Sequence, residues 1–207
     1  ACMLGAENLF GDNSDRAAWC AAVDEAGGGW FGTPGAANPA CVAVLAPGDV
    51  VINELMIDGT SRPGGREQWI ELLNTTDEPV DLSGLRLETE ETEVLVPWGS
   101  VVGAGDFFFA TYDDLAGGGA GDLWFFDELI FAVDGDTLTL RLADTVVDTV
   151  DFSAGSPPWP YAAGVSMQRR APTADASTPA AWCAAVTSYS SAGVTNQGTP
   201  AATNACD

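Results

Sequence analysis

The chain has 207 residues, 46% of them apolar and including seven Trp and nine Phe, enough to bury a core and to exclude disorder for most of its length. Thirty Asp and Glu against seven basic residues give a net charge of −23, which opposes nucleic-acid phosphates and anionic lipid surfaces as partners. All seven basic residues are Arg, so the absence of Lys and His excludes Ser-His-Asp and Cys-His nucleophiles, His-ligated zinc, Schiff-base chemistry and the phosphate-cradling P-loop.

No run of eighteen apolar residues and no basic stretch leading into an apolar one occurs, so neither membrane insertion nor a signal peptide is expected within these residues. Ala1 fits a processed product or a piece of a longer polypeptide. From the N-terminus, Ala17-Ala18-Trp19-Cys20-Ala21-Ala22-Val23 recurs unchanged as Ala180-Ala181-Trp182-Cys183-Ala184-Ala185-Val186. Gly32-Thr33-Pro34, Asn38 and Cys41 match Gly198-Thr199-Pro200, Asn204 and Cys206, a repeat with a period of about 165 residues. Met3 precedes Trp19 by sixteen residues and Met167 precedes Trp182 by fifteen, which aligns the first residues with Gly164-Val165-Ser166-Met167-Gln168. Residues 1–41 are therefore expected to be the last strand and tail of a preceding or neighbouring module, 42–48 a linker, and 49–207 a full module with its own tail.

Cysteine spacing supports this division. Cys20 with Cys41, and Cys183 with Cys206, would each staple a loop in equivalent places, which implies an oxidising compartment. Cys2 is left over, either for an intermolecular disulfide or as a free thiol. Four cysteines without paired C-x-x-C spacing, and with no His, do not read as a zinc site.

From Val50 onward, short apolar runs are divided by Gly, Pro, Asp and Asn clusters, with no sustained helical period. The expected strands are Val50–Met56, Gln68–Leu73, Leu85–Glu88, Val94–Pro97, Phe107–Thr111, Trp124–Val133, Thr137–Leu142, Val146–Asp151 and Gly164–Arg169. Thr137–Leu142 alternates cleanly with its Leu face inward, and Asp134-Gly135 signals a tight turn from the strand before it. Strands this short and numerous predict an all-β fold, an immunoglobulin-like two-sheet β-sandwich with irregular disulfide-stapled tail segments. A closed barrel is the alternative.

Val51-Ile52-Asn53-Glu54-Leu55-Met56, Trp69-Ile70-Glu71-Leu72-Leu73-Asn74 and Glu78-Pro79-Val80-Asp81-Leu82-Ser83-Gly84 follow in an order that resembles the bacterial lamin tail domain. Gly135-Asp136-Thr137-Leu138-Thr139-Leu140, Val147-Asp148-Thr149-Val150, Gly164-Val165-Ser166-Met167-Gln168-Arg169, Thr199-Pro200 and Asn204 extend the resemblance along the chain. It implies an immunoglobulin-like sandwich used as an accessory or adhesive module in large secreted and surface proteins. The chain departs from that pattern in lacking Gly after Pro200 and in carrying a first tail without a body of its own.

Several residues carry local expectations. Glu54 and Glu71 sit inside apolar strands, each on a solvent face or paired beneath a loop; burial would require an Arg, an amide or a cation, with Arg62, Arg66 and Arg86 nearby in sequence. The acidity reads as a solvated surface or as divalent-cation sites. No cofactor is required by the first reading; for the second, calcium is the candidate, with Asp113, Asp114 and Asp122 as ligands. The run from Gly117 to Gly121 reads as a flexible exposed loop, and the lone sequon Asn74-Thr75-Thr76 is a chance-level signal. Trp98, Trp124 and the segment Pro157-Pro158-Trp159-Pro160-Tyr161 are expected in core packing, with a polysaccharide-binding platform as the competing use. Paired carboxylates could in principle cleave glycosides, but thirty acids make some pair inevitable, so no catalytic residue is assigned. The expectation is a non-enzymatic bacterial extracellular or cell-surface module. Its partners would be copies of itself or adjacent repeats, in a tandem array or a filament; the alternative is a carbohydrate- or calcium-binding accessory domain of a larger secreted enzyme or adhesin.

Overall fold

The structure, a computed structural model, describes residues 2–4, 19–21, 25–27, 30–31, 33, 45–60, 67–119, 121–153 and 158–206. In chain order the strands are β1 (Cys2–Leu4), β2 (Trp19–Ala21), β3 (Glu25–Gly27), β4 (Trp30–Phe31), β5 (Val50–Met56), β6 (Trp69–Asn74), β7 (Val80–Asp81), β8 (Arg86–Glu88) and β9 (Glu93–Leu95). They continue as β10 (Val101–Val102), β11 (Phe107–Thr111), β12 (Leu123–Trp124), β13 (Thr137–Leu142), β14 (Thr145–Asp151), β15 (Met167–Arg169), β16 (Trp182–Ala184), β17 (Ser188–Ser191) and β18 (Val194–Gln197). The described helical residues form only short 3-10 turns, at Ala116–Gly118, Phe126–Glu128 and Pro179–Ala181.

Two sheets face each other. The larger runs β12-β11-β6-β5-β15-β16 and the smaller β14-β13-β8-β9, the sandwich expected of these short strands. Ile52, Leu55, Ile70, Leu72, Phe108 and Met167 of the larger sheet pack with Leu87, Val94, Leu138, Leu140, Val147 and Val150 of the smaller. Each such side chain contributes roughly 1.5–3 kcal/mol by leaving water. Leu45, inside the segment expected to be a linker, is buried in this core, and the Gly48 N–H donates to the Val147 carbonyl.

β5 and β6 carry no inside-outside alternation because both faces of the larger sheet are covered. Ile70 faces the sandwich core, while Trp69 joins Met56 and Phe109 in a second cluster on the outer face, closed by Tyr189. The ring of Trp69 lies 5.3 Å from Phe109 and 6.1 Å from Tyr189, and its indole N–H donates to the Tyr189 hydroxyl at 2.9 Å. The Tyr189 hairpin, β17–β18, therefore seals the outer face. Gly117 approaches the same cluster so closely that a Cβ there would lie 2.3 Å from Phe109. Ala116 and Gly117 are buried, and the Ser191 hydroxyl donates to the Leu115 carbonyl at 2.7 Å. The start of the glycine run is thus packed rather than a free loop.

Leu85–Glu88 and Val94–Pro97 appear as Arg86–Glu88 and Glu93–Leu95, and two further expected strands contract more strongly. Of Trp124–Val133 only Leu123–Trp124 pairs, parallel to β11, before a 3-10 turn at Phe126–Glu128. Beyond it, Phe131 meets the buried Gln68 amide in place of a neighbouring strand: its N–H donates to Gln68 Oε1 at 2.9 Å and its carbonyl accepts from Nε2 at 2.9 Å. The Asp134-Gly135 turn consequently leads into β13 from an irregular segment, not from a strand. Gly164–Arg169 contracts to Met167–Arg169 because Gly164 takes a left-handed φ of 72° in a turn where a Cβ would strike Asn196 and Thr60.

The two repeated segments share a plan. β1 pairs with β2 as Cys2↔Ala21, Met3↔Cys20 and Leu4↔Trp19, and β15 pairs with β16 as Met167↔Ala184, Gln168↔Cys183 and Arg169↔Trp182. Relative to the repeated Trp-Cys pair, Cys2 rather than Met3 therefore takes the place of Met167, a one-residue correction to the alignment of the methionines. In each copy a hairpin follows, β3–β4 in the first and β17–β18 in the second.

A bulge in β5 shapes the outer face. Ile52 pairs with Leu72 and Glu54 with Glu71, so Asn53 is an extra residue in the ladder. Removing it would leave Val50, Ile52, Leu55 and Ile57 in unbroken alternation toward the core. Deletion of Asn53 is expected to leave a folded sandwich that loses only the contacts made by Asn53 itself, roughly 1–3 kcal/mol. Deletion of Ile52, which puts Asn53 into the core position, is expected to abolish cooperative unfolding in denaturant titration.

Candidate functional site: a buried acid pair under the tail

Glu54 and Glu71 face each other across β5 and β6, and both are fully buried. Neither takes the solvent face. Of the arginines expected to compensate them, Arg86 pairs instead with Glu88 and Glu93, while Arg62 and Arg66 lie outside the described residues. The described partners are hydroxyl and amide donors, and most come from the C-terminal tail. Glu54 accepts hydrogen bonds from the Ser166 hydroxyl, from the Thr199 N–H at 3.0 Å and from the Thr199 hydroxyl at 2.6 Å. Glu71 accepts from Asn53 Nδ2 at 2.7 Å and from the Ala201 N–H at 2.6 Å.

The bulged Asn53 extends this network. Asn204 Nδ2 donates to the Asn53 carbonyl at 3.0 Å and to the Arg169 carbonyl at 2.9 Å, while Asn53 Nδ2 reaches Asn204 Oδ1 at 3.2 Å. Gln168, on β15, donates from Nε2 to the Thr199 hydroxyl oxygen at 2.6 Å and accepts at Oε1 from the Ala205 N–H at 3.1 Å. The disulfide Cys183–Cys206 fixes the end of the tail to β16, with Cα atoms 5.8 Å apart. Residues 198–206 are in this way laced across β5, β6 and β15 like a clasp.

The electrostatics follow from burial. Loss of water raises the pKa of Glu54 above its ordinary value, although the Ser166 and Thr199 hydrogen bonds pull it back. Burial, with a smaller contribution from the charge of Glu54, pushes Glu71 up to about 8, against the Asn53 and Ala201 hydrogen bonds. Burial likewise raises Tyr189. Arg169 bonds Asp148 at 2.7 Å and the Ala174 carbonyl at 2.6 Å. The acid pair is sealed beneath the tail.

The other expected positions separate. Cys41 lies outside the described residues, as does the Cys20–Cys41 pairing, and of Cys2 only its place in β1 is described. Asp113, Asp114 and Asp122 do not assemble as a calcium site. Asp113 Oδ1 accepts the N–H groups of Leu115 and Ala116 at 3.0 Å, Asp122 accepts the Phe109 N–H at 2.8 Å, and Asp114 is exposed. Among the described residues no group of three or more Asp, Glu, Cys or His is gathered for a metal. Trp159 is buried, 6.4 Å from Trp182, but Trp98 and Trp124 are 64% and 50% exposed, contrary to the core packing expected of them. The Trp124 and Phe126 rings meet edge-on at 81°, which is not a flat platform. The sequon is structural: the buried Asn74 amide donates to the carbonyls of Glu78, Val102 and Gly103, closing the nitrogen that a glycan would need. The sequence marked Glu54 and Glu71 as acids inside apolar strands and carried Asn53, Ser166, Gln168, Thr199 and Asn204 within its family-like motifs, but did not join them in one network. The signal available was the repeated Gly-Thr-Pro with Asn, of which Thr199 donates to Glu54 and Asn204 to the Asn53 carbonyl.

A family model described as Lamin Tail Domain matches residues 43–154. No curated protein matches the chain.

The acid pair makes stability depend on pH in a defined direction. Glu71 releases its proton near 4.5 when unfolded and at about 8 when folded. Between these values the folded state holds a proton that the unfolded chain has lost, so this contribution is complete below about 4.5 and is lost as pH rises toward 8. Thermal unfolding is expected to show a falling midpoint across that window. Glu71→Gln, which keeps one acceptor and cannot ionise, is expected to flatten the fall by up to roughly 1.4 kcal/mol per pH unit.

Proposed function

The chain belongs to the lamin tail domain family, and from that premise we propose that it is a non-catalytic extracellular interaction module whose N-terminal strand pair docks on a neighbouring copy of the module. An immunoglobulin-like domain working through contacts is the coarse reading. The finer one rests on a single observation, the matched registers of β1–β2 and β15–β16.

Within the described body, the β15–β16 pair flanks β5 through Met167↔Leu55 and Gln168↔Glu54. That flank is therefore already filled by the body's own residues. β1–β2, built to the same register, calls for the β5 of another copy, either ahead of it in one polypeptide or in a second chain. The contact would be strand addition, in which backbone hydrogen bonds supply affinity and the tail supplies specificity. Gly32-Thr33-Pro34 and Asn38 repeat the clasp sequence that meets Glu54 and Asn53 in the body, which supports the same mode of docking.

The Cys183–Cys206 disulfide supports an oxidising location outside the cell. A surface of net charge −23 favours solubility and disfavours nucleic acid. Edge-on aromatic geometry at Trp124 and Phe126 favours protein contact over a polysaccharide platform.

A polypeptide carrying residues 45–163 ahead of residues 1–207 tests the docking. Residues 45–163 alone lack the β5 flank and the clasp and should be digested rapidly by protease. Placed before residue 1, they should become resistant, with Cys20 and Cys41 joined. Continued rapid digestion of that first body would overturn the proposal.

A further inference from the structure

One cluster within the clasp has more chemistry than docking requires. Thr199, Glu54 and Gln168 are buried together. The Thr199 hydroxyl donates to Glu54 Oε2 at 2.6 Å and its oxygen accepts from Gln168 Nε2 at 2.6 Å. An alcohol thus sits between a carboxylate able to take its proton and a carboxamide able to receive its oxygen. Gln168 Oε1, where negative charge would develop, already accepts the Ala205 N–H at 3.1 Å. A nucleophile, a base, an electrophile and an oxyanion donor therefore occupy one water-excluded site.

We infer that Thr199 and Gln168 join in an intramolecular ester, formed by the folded protein itself with Glu54 as the base. The Thr199 Oγ1–Gln168 Cδ bond forms and the Cδ–Nε2 bond breaks. The hydroxyl proton passes to the Glu54 carboxylate and then to the departing nitrogen, which leaves as ammonia, so Glu54 is regenerated and no oxidant or co-reactant is consumed. Since Cδ is bonded to the nitrogen already in contact, it lies about 3.5 Å from the hydroxyl oxygen, within the near-attack range, and the amide has only to turn its face toward it. Burial makes the Glu54 carboxylate a stronger proton acceptor than an exposed one. Exclusion of water protects the product from hydrolysis, and dilution of ammonia into solvent draws the exchange forward.

The repeat supplies an internal comparison. Thr33 occupies the equivalent place in the first tail, but the residue opposite Cys20 is Met3 where the residue opposite Cys183 is Gln168. The first tail has no amide at that position, so the ester is expected in the second tail alone. The inference does not depend on docking between copies.

Intact mass of the purified full chain, measured after reduction of disulfides, is expected to fall about 17 Da below the sequence value, the loss of one ammonia. After trypsin, the peptide ending at Arg169 and the peptide starting at Ala171 should be recovered as one joined species that hydroxylamine separates. Thr199→Ser should retain the loss; Thr199→Val and Glu54→Gln should restore the full mass. A wild-type chain of unaltered sequence mass overturns the inference whatever the variants do. So does an ammonia loss confined to one peptide, as from an asparagine cyclising on its own backbone, or one that survives in Thr199→Val.

Discussion

Two carboxyl groups facing each other across adjacent strands, both fully buried, are the constraint to which the rest of this fold answers. Left bare, such a pair would cost many kcal/mol, since each charge loses its hydration and repels the other. Glu54 and Glu71 are tolerated because they are surrounded by donors: Ser166, Asn53, the Thr199 hydroxyl, and the backbone N–H groups of Thr199 and Ala201. Only when β15 lies against β5 and the tail has closed over both are those donors in place. Sheet and tail therefore depend on one another, and partial structures would expose the acids without their partners.

The same constraint explains why the larger sheet is hydrophobic on both sides. Its inner face packs on the smaller sheet, as in any sandwich. Its outer face carries the acid pair beside Met56, Trp69 and Phe109, with the β17–β18 hairpin closing over them through Tyr189. A module in which the tail was absent would present this mixed face to solvent. The disulfide between Cys183 and Cys206 keeps the tail nearby, and the asparagine pair Asn53–Asn204 sets its registration.

Much of the sandwich was legible in the sequence because short apolar runs bounded by turn residues leave little choice of element. Val50–Met56, Phe107–Thr111 and Thr137–Leu142 appear with the bounds their patterns suggested. Cysteine spacing within the repeat anticipated the Cys183–Cys206 bridge. The β17–β18 hairpin was not legible: its Ser, Thr and Asn residues have no apolar alternation, and its partners are remote in sequence. Thr199 meets Glu54 across 145 residues, a pairing that no local pattern reports. The Asn53 bulge was hidden for the opposite reason. An extra residue in a strand buried on both faces disturbs no visible periodicity. Trp124–Val133 misled because it is an apolar run broken only by the adjacent Asp127 and Glu128, and Gln68 supplies the bonds that a neighbouring strand would have given.

The Cys183–Cys206 bridge also determines how the module would respond to being pulled. Tension entering the chain beyond Cys206 crosses the sulfur atoms directly to β16, so residues 184–205 stay slack and the clasp is spared the strain. The pull is borne instead by the backbone ladder between β16 and β15, then by β15 on β5. A segment that looks like a loosely attached end is, mechanically, a sheltered loop, and the point of traction lies at the edge of the larger sheet.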